Sequence, residues 1–119
     1  MDRQTLGQFG EEQAARYLRR RFYNILERNY RCRFGEIDLI AKRGGYLVFV
    51  EVKLRRDASH GEAREFVTAS KQQRVIAAAQ HWLSQNETAL QPRFDVIEVY
   101  APKGTVGPVR IHHIENAFM

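Results

Sequence analysis

The sequence predicts an α/β domain: a mixed central sheet with helices on its two faces, in the order helix, three strands, helix, strand. Two observations carry this. Ile37-Asp38-Leu39-Ile40-Ala41 and Tyr46 to Val52 are two β-rich runs separated by Gly44-Gly45, a strong hairpin signal. Around that hairpin stand two segments with helical spacing of apolar residues, and the second helix is followed by another β-rich run. A strand–helix–strand crossover makes the flanking strands parallel, so a sheet containing it and the hairpin is mixed.

The first helix is expected from about Thr5, as N-cap, to Phe22. Ala14, Ala15, Leu18 and Phe22 share a face that Leu6 and Tyr17 widen, while Glu12, Arg16 and Arg19 lie opposite. Glu11 breaks the pattern by projecting between Leu18 and Phe22 in the apolar stripe. A carboxylate there is costly unless it is paired or binds a cation. An acid favoured by the helix dipole and reaching back to solvent is the plainer alternative. Tyr23 to Arg33 reads as a weaker strand, bulged or at an edge, because Glu27-Arg28-Asn29 interrupts its apolar residues.

The hairpin comes next. A type I′ turn at Gly44-Gly45 sets Ile40 opposite Phe49, Asp38 opposite Glu51 and Glu36 opposite Lys53. Val48, Val50, Val52 and Leu54 form one apolar face, matched by Ile37, Leu39 and Ala41. The other face is apolar near the turn, at Ile40, Leu47 and Phe49, and charged further along, at Glu36, Asp38, Glu51 and Lys53. Such a sheet is covered on both sides, with the charges at the end of the cover. Opposed acids destabilise a sheet unless a cation or a shared proton neutralises them. An ordinary cross-strand pair between Glu36 and Lys53 accounts for the lysine, but not for the opposition of Asp38 and Glu51.

Arg55 to Ala69 lacks a clear period and reads as a loop beside the charged cluster. A second helix is expected from about Ser70 to Asn86, with Val75, Ile76, Ala79, Trp82 and Leu83 on its apolar face. Its first turn carries Lys71 and Arg74, which add to the attraction of a helix N-terminus for anions. Phe94 to Tyr100 is a strand in which Asp95 either approaches the cluster or caps a turn. Val109 to Ile114 is a last short strand that sends His112 and His113 to opposite faces, which argues against a joint metal site.

The 119 residues suit one domain, and the formal charge is +5 with 15 Arg against 4 Lys. Arginine presents a planar fork suited to phosphate, so a nucleic-acid partner is expected, with Arg55, Arg56, Lys71 and Arg74 as the contacts nearest the cluster. There is no apolar run of membrane-spanning length and no secretory pattern at the first residues, so a cytoplasmic protein without a membrane partner is expected. Cys32 is the single cysteine. Nucleophile elbows, P-loops and dinucleotide fingerprints are absent. Asp38 and Glu51 are a donor set for Mg²⁺ or Mn²⁺, with Glu11 as a direct or water-mediated third ligand. Lys53 is placed to orient or deprotonate a water or to offset phosphate charge.

Gly10-Glu11, Gly35-Glu36-Ile37-Asp38-Leu39-Ile40-Ala41 and Phe49-Val50-Glu51-Val52-Lys53 resemble the YraN family of small bacterial proteins. Asp38 followed by Glu51-x-Lys53 also resembles the signature of the restriction-endonuclease-like nuclease superfamily, with its αβββαβ core, and the archaeal Holliday-junction resolvases within it. The resemblance implies a single nuclease-like domain over residues 1–119, with metal ligation by Asp38 and Glu51, support from Glu11, and Lys53 as catalytic lysine. It further implies a divalent-metal-dependent endonuclease acting on DNA phosphodiesters, branched or junction DNA among them, and a homodimer. Ile37 departs from the superfamily, which often has proline before the aspartate. Two other functions fit the residues: a catalytically inactive nucleic-acid-binding module on the same fold, and an interaction protein whose basic surface meets an acidic partner.

Overall fold

The computed structural model describes residues 3–56 and 68–118. Helix α1 (Arg3–Arg20) is followed by strands β1 (Asn24–Cys32), β2 (Gly35–Arg43) and β3 (Tyr46–Arg55), helix α2 (Ala69–Gln85), and strands β4 (Gln91–Tyr100) and β5 (Arg110–Ile114). The five strands form one sheet in the order β1-β2-β3-β4-β5. β1, β2 and β3 are antiparallel to one another, β4 runs parallel to β3, and β5 returns antiparallel to β4. This is the expected mixed sheet in αβββαβ order, extended by one strand.

Both faces of the sheet are covered. On one, Ala14, Ala15 and Leu18 of α1 pack with Leu39, Ala41, Val48, Val50, Ile97 and Val99. On the other, Val75, Ala78, Ala79 and Trp82 of α2 pack with Ile37, Ile40, Leu47, Phe49, Phe94 and Val96. α1 also comes close to β3 at Gly10, where an added Cβ would touch Leu54 and Val52. β1 is one of the two edge strands, with a bulge between Ile25 and Glu27. Glu27 accepts a 2.7 Å hydrogen bond from the Trp82 indole, which ties the edge to α2.

Several local expectations need correction. Thr5 lies inside α1 rather than capping it, because the helix continues back through Gln4 and Arg3, both good helix formers. α1 ends at Arg20, before Phe22. Phe22 takes a left-handed φ of 70° and is 87% exposed, while Tyr23 and Phe22 N–H groups donate to the carbonyls of Leu18 and Arg19. This double bond pattern is a Schellman termination with Phe22 in the position glycine usually takes. Its ring therefore leaves the apolar stripe, and Tyr23 enters the core in its place. At the hairpin turn only Gly44 has positive φ, 58°, which excludes type I′ and matches the sign pattern of type II′. The symmetric register survives, from Arg43↔Tyr46 to Leu39↔Val50. α2 is capped by Thr68, whose hydroxyl accepts from the Lys71 N–H at 3.1 Å. The expected loop from Arg55 to Ala69 lies outside the described residues over 57–67.

Candidate active site

The hairpin stops being a regular ladder at Asp38. Leu39↔Val50 is the last backbone pair, so the expected opposition of Asp38 to Glu51, and of Glu36 to Lys53, is not formed as strand pairing. Asp38 Oδ2 instead accepts the Val52 N–H at 2.8 Å. The side chain thereby takes the place of a β2 backbone acceptor and holds β3 at the point where the strands separate. The alternation of β2 breaks at the same residue. Ile37 joins Ile40 on the α2 side, whereas Leu39 and Ala41 face α1. This corrects the placement of Ile37 with Leu39 and Ala41; the break falls where Asp38 bonds the neighbouring strand and where Asn29 of β1 takes a left-handed φ of 54°. Glu36, released from Lys53, pairs with Arg31 of β1 at 3.2 Å.

Glu51 follows Phe49 on the α2 side of β3 and is only 3% exposed. Its Oε1 has no hydrogen-bond partner among the described residues. Among the described residues, the cation within ion-pair distance of it is Lys71 Nζ, at 3.7 Å, from the first turn of α2. Burial, then the Asp38 charge, pushes the Glu51 carboxyl up to about 7, against the opposing pull of Lys71 and Lys53. Asp38 is raised by burial as well, and opposed by its bond from Val52 and by Lys71 and Lys53. With Glu51 at about 7 beside Asp38, the two groups hold fewer than two negative charges near neutrality, unless a cation joins them. Lys53 acts on both acids from the same strand as Glu51.

Glu11 approaches from α1. Burial and then Asp38 raise its carboxyl, while the Asn29 side chain and Arg28 pull it down. It therefore senses Asp38 across the β1–β2 side of the sheet. Among the described residues, however, no group of three His, Cys, Asp or Glu side chains is gathered closely enough to hold a metal ion. Asp38 raises both Glu51 and Glu11, so it is the acid the other two share. Glu12, the neighbour of Glu11, is bound to Arg28 at 2.7 Å and Arg16 at 3.3 Å, as an ordinary surface acid.

The basic candidates divide in two. Arg74 and Arg56 are exposed. Lys71 is engaged with Glu51, and Arg55 Nε donates to buried Glu98 at 3.4 Å. Glu98 is a polar centre that sequence reasoning missed. It lies beside Lys53 in the parallel register and also accepts from the Tyr100 hydroxyl at 2.9 Å and contacts His112 Nδ1 at 3.1 Å. Asp95 does not approach the cluster. It is buried on the α1 side, gripped by Arg93 through two bonds of 2.9 Å and by His113 Nε2 at 2.6 Å, and it accepts the Asn116 N–H at 3.0 Å. The two histidines do face opposite ways.

The order of strands and helices, with a paired acid at the split of the hairpin, defines an α/β protein with an αβββαβ core. The chain belongs to UPF0102, the YraN family, an uncharacterised protein family whose model matches residues 10–99. A UPF0102 protein of Syntrophotalea carbinolica is 50% identical to it over 98% of this chain and 93% of the relative. Others, from Caldanaerobacter subterraneus and Frankia casuarinae, are 44% and 45% identical, over 99% and 96% of this chain and 98% and 96% of the relatives. Among the described residues no helix is long and apolar enough to cross a membrane.

Proposed function

We propose that this protein is a divalent-metal-dependent endonuclease that hydrolyses DNA phosphodiesters, branched or Holliday-junction DNA among them. One observation carries the reading: a buried carboxylate oxygen, Glu51 Oε1, without a hydrogen-bond partner among the described residues, beside a second, partly buried acid, Asp38. Such an arrangement is costly as structure and useful as a hard-cation site. Asp38 and Glu51 would hold Mg²⁺ or Mn²⁺, which keeps several water or phosphate ligands and needs only one or two carboxylates. When bound, the ion would lower the pKa of a water and stabilise charge on the phosphate.

The remaining work falls to the chain. Asp38 has one oxygen committed to Val52, which fixes the direction of the other. Glu51 releases its proton as the site is occupied, because a ligating carboxylate must be ionised. Lys53 orients or deprotonates the attacking water, or offsets charge at the phosphate. Glu11 supports Asp38 electrostatically, and Arg56, Arg74 and Lys71 meet flanking phosphates, with Arg55 held in place by Glu98. A cytoplasmic setting and a homodimer complete this reading.

The test is incubation of the purified protein with labelled linear, flap and four-way DNA in Mn²⁺. Cleavage is expected, and Asp38→Ala or Glu51→Gln should lower its rate by at least about 100-fold. No cleavage of any substrate, together with no heat of Mn²⁺ binding, overturns the reading. The Lys71–Glu51 contact favours one alternative, a catalytically inactive nucleic-acid-binding module in which the lysine is the acid's permanent counter-charge. That module would bind DNA without metal, and unchanged after Asp38→Ala and Glu51→Ala.

A further inference from the structure

We propose that the Arg33-Phe34 turn between β1 and β2 is a binding site for an unstacked nucleobase, served by phosphate contacts in the adjoining cleft. The proposal rests on the reading of DNA as substrate and adds a substrate class: single-stranded or branched DNA with an unpaired base beside the cutting site.

The last β1–β2 pair is Cys32↔Gly35, so Arg33 and Phe34 form the tip of a two-residue turn. Phe34 is 41% exposed. The Arg33 guanidinium lies 4.8 Å from its ring centroid, and the His81 ring of α2 lies 5.5 Å away, tilted by 56°. An aromatic ring flanked by two cation-capable groups is suited to a base and its phosphate, since every base offers a π-face whatever its identity.

The turn is also fixed in place. Gly35 has φ +156°, and a Cβ there would fall 2.9 Å from the Arg74 carbonyl oxygen. Only glycine lets β2 come this close to the backbone of α2, so Phe34 is held rigidly against the helix that carries Lys71. Between turn and helix runs a cleft of about 280 Å³ lined by Arg31, Cys32, Gly35, Glu36, Lys71 and Arg74. Its volume falls just under the ~300–1,000 Å³ of closed small-molecule pockets, which suits an open groove for a chain. Arg31 answers Glu36 and Lys71 faces Glu51, which leaves exposed Arg74 on the cleft, with Arg33 at the turn, as the cations offered to a phosphate. Its inner end, Lys71, is the residue in contact with Glu51. A strand whose base stacks on Phe34 thus lays its backbone along the cleft toward the acid pair.

The experiment measures binding without cleavage, in chelator, using a labelled single-stranded oligonucleotide, a blunt duplex of the same sequence, and that duplex with a flap. Phe34→Ala should weaken single-strand and flap binding by roughly 5- to 150-fold, the range of one lost base stack, and duplex binding by less than about twofold. Phe34→Trp should retain the wild-type preference, and both variants should melt as the wild type does. Three results overturn the proposal: single-strand binding by Phe34→Ala equal to wild type, equal losses on all three DNAs, or no binding of any DNA by the wild type at low salt. The last would hand this surface to a protein partner. Because no metal is present, failure of the nuclease reading alone leaves the stacking result intact.

Discussion

Two buried acids occupy opposite faces of the same sheet, and their surroundings differ in kind. Asp95, on the α1 face, is fully enclosed and receives bonds from Arg93 and Asn116, with His113 at 2.6 Å. Burial works to raise its carboxyl, but His113, Arg93 and the Asn116 N–H outweigh it and leave it below the usual carboxylate range. The same acid raises the Arg93 guanidinium further above its ordinary value, with help from Tyr23. Glu51, on the α2 face, is almost as enclosed, yet one oxygen lacks a hydrogen bond and the group is pushed up to about 7. A protein that can satisfy one buried acid this completely has left the other unfinished. Asp95 is a structural tie, and Glu51 is the acid to which the proposed function assigns a cation.

The largest expected effect breaks the structural side of this contrast. Asp95→Asn keeps the volume but removes the charge that Arg93 answers, leaving the largely buried guanidinium with only the exposed Glu115 carboxylate, 4.0 Å away. Removal of one partner from a buried pair costs about 3–5 kcal/mol, and denaturant unfolding at pH 7 should show a loss of that order. The pH sign follows from the depressed pKa. The contribution of Asp95 is present above the unfolded value of 3.8 and fades as pH falls through the lower folded value. An unchanged midpoint in Asp95→Asn would erase the distinction between the two acids.

Glu51→Gln should act in the opposite direction. The folded pKa of about 7 exceeds the ordinary 4.5, so the folded state holds a proton that the unfolded state has lost between those values. Stability therefore falls as pH rises from about 4.5 to 7 and stays low above. In chelator, Glu51→Gln should match the wild type near pH 4 and exceed it at pH 8 by on the order of 3 kcal/mol. Saturating Mn²⁺ should return stability to the wild type at pH 8, about 2.7 kcal/mol at one hundred times Kd, and do nothing for the variant. Thermal melts with and without Mn²⁺ read both. A variant no more stable than the wild type at pH 8 would make Glu51 another satisfied acid.

The contrast also shows which parts of the molecule are legible in the sequence. The mixed sheet, the hairpin register and the covering of both faces follow from local patterns: two adjacent glycines between β-rich runs, and apolar residues at helical spacing. The nearness of Asp38 and Glu51 follows from that register. The break at Asp38 does not, because it falls where one side chain bonds to the backbone of the next strand, and Ile37 lies on the other face. Phe22 misled for a similar reason, since its residue type fits the apolar stripe while its backbone ends the helix. Asp95 and Glu98 take one partner each from β4 itself, two residues away at Arg93 and Tyr100, and the rest from β5, the residue Asn116 after it and the end of β3, while Lys71 reaches Glu51 from across the α2 crossover. The contacts from β3, β5 and α2 join residues far apart in the chain, and no spacing records them. The alternation of His112 and His113, which in the sequence argues only against a joint metal site, sends one histidine to Glu98 and the other to Asp95.

Lys71 offers the smallest and most discriminating perturbation of the comparison. Its ammonium lies 3.7 Å from Glu51 Oε1, and about a third of its side chain is in solvent. At that range and exposure it offsets only part of the cost of ionising Glu51, so the contact contributes at most about 1 kcal/mol. Lys71 pulls the Glu51 pKa down, so Lys71→Ala lets it rise further above 7. Below pH 5 Glu51 is protonated in both proteins, and their stabilities should agree. Above pH 8 the variant should be less stable by up to about 1 kcal/mol, and Glu51→Gln should remove that difference in a double-mutant cycle. Lys71→Ala should also bind Mn²⁺ more tightly in titration calorimetry, because the competing cation is gone. If the lysine is instead the acid's permanent partner, the loss at pH 8 stands and no Mn²⁺ binding appears in either protein. The cycle and the calorimetry together decide whether Glu51 is held for a metal or has already found its cation.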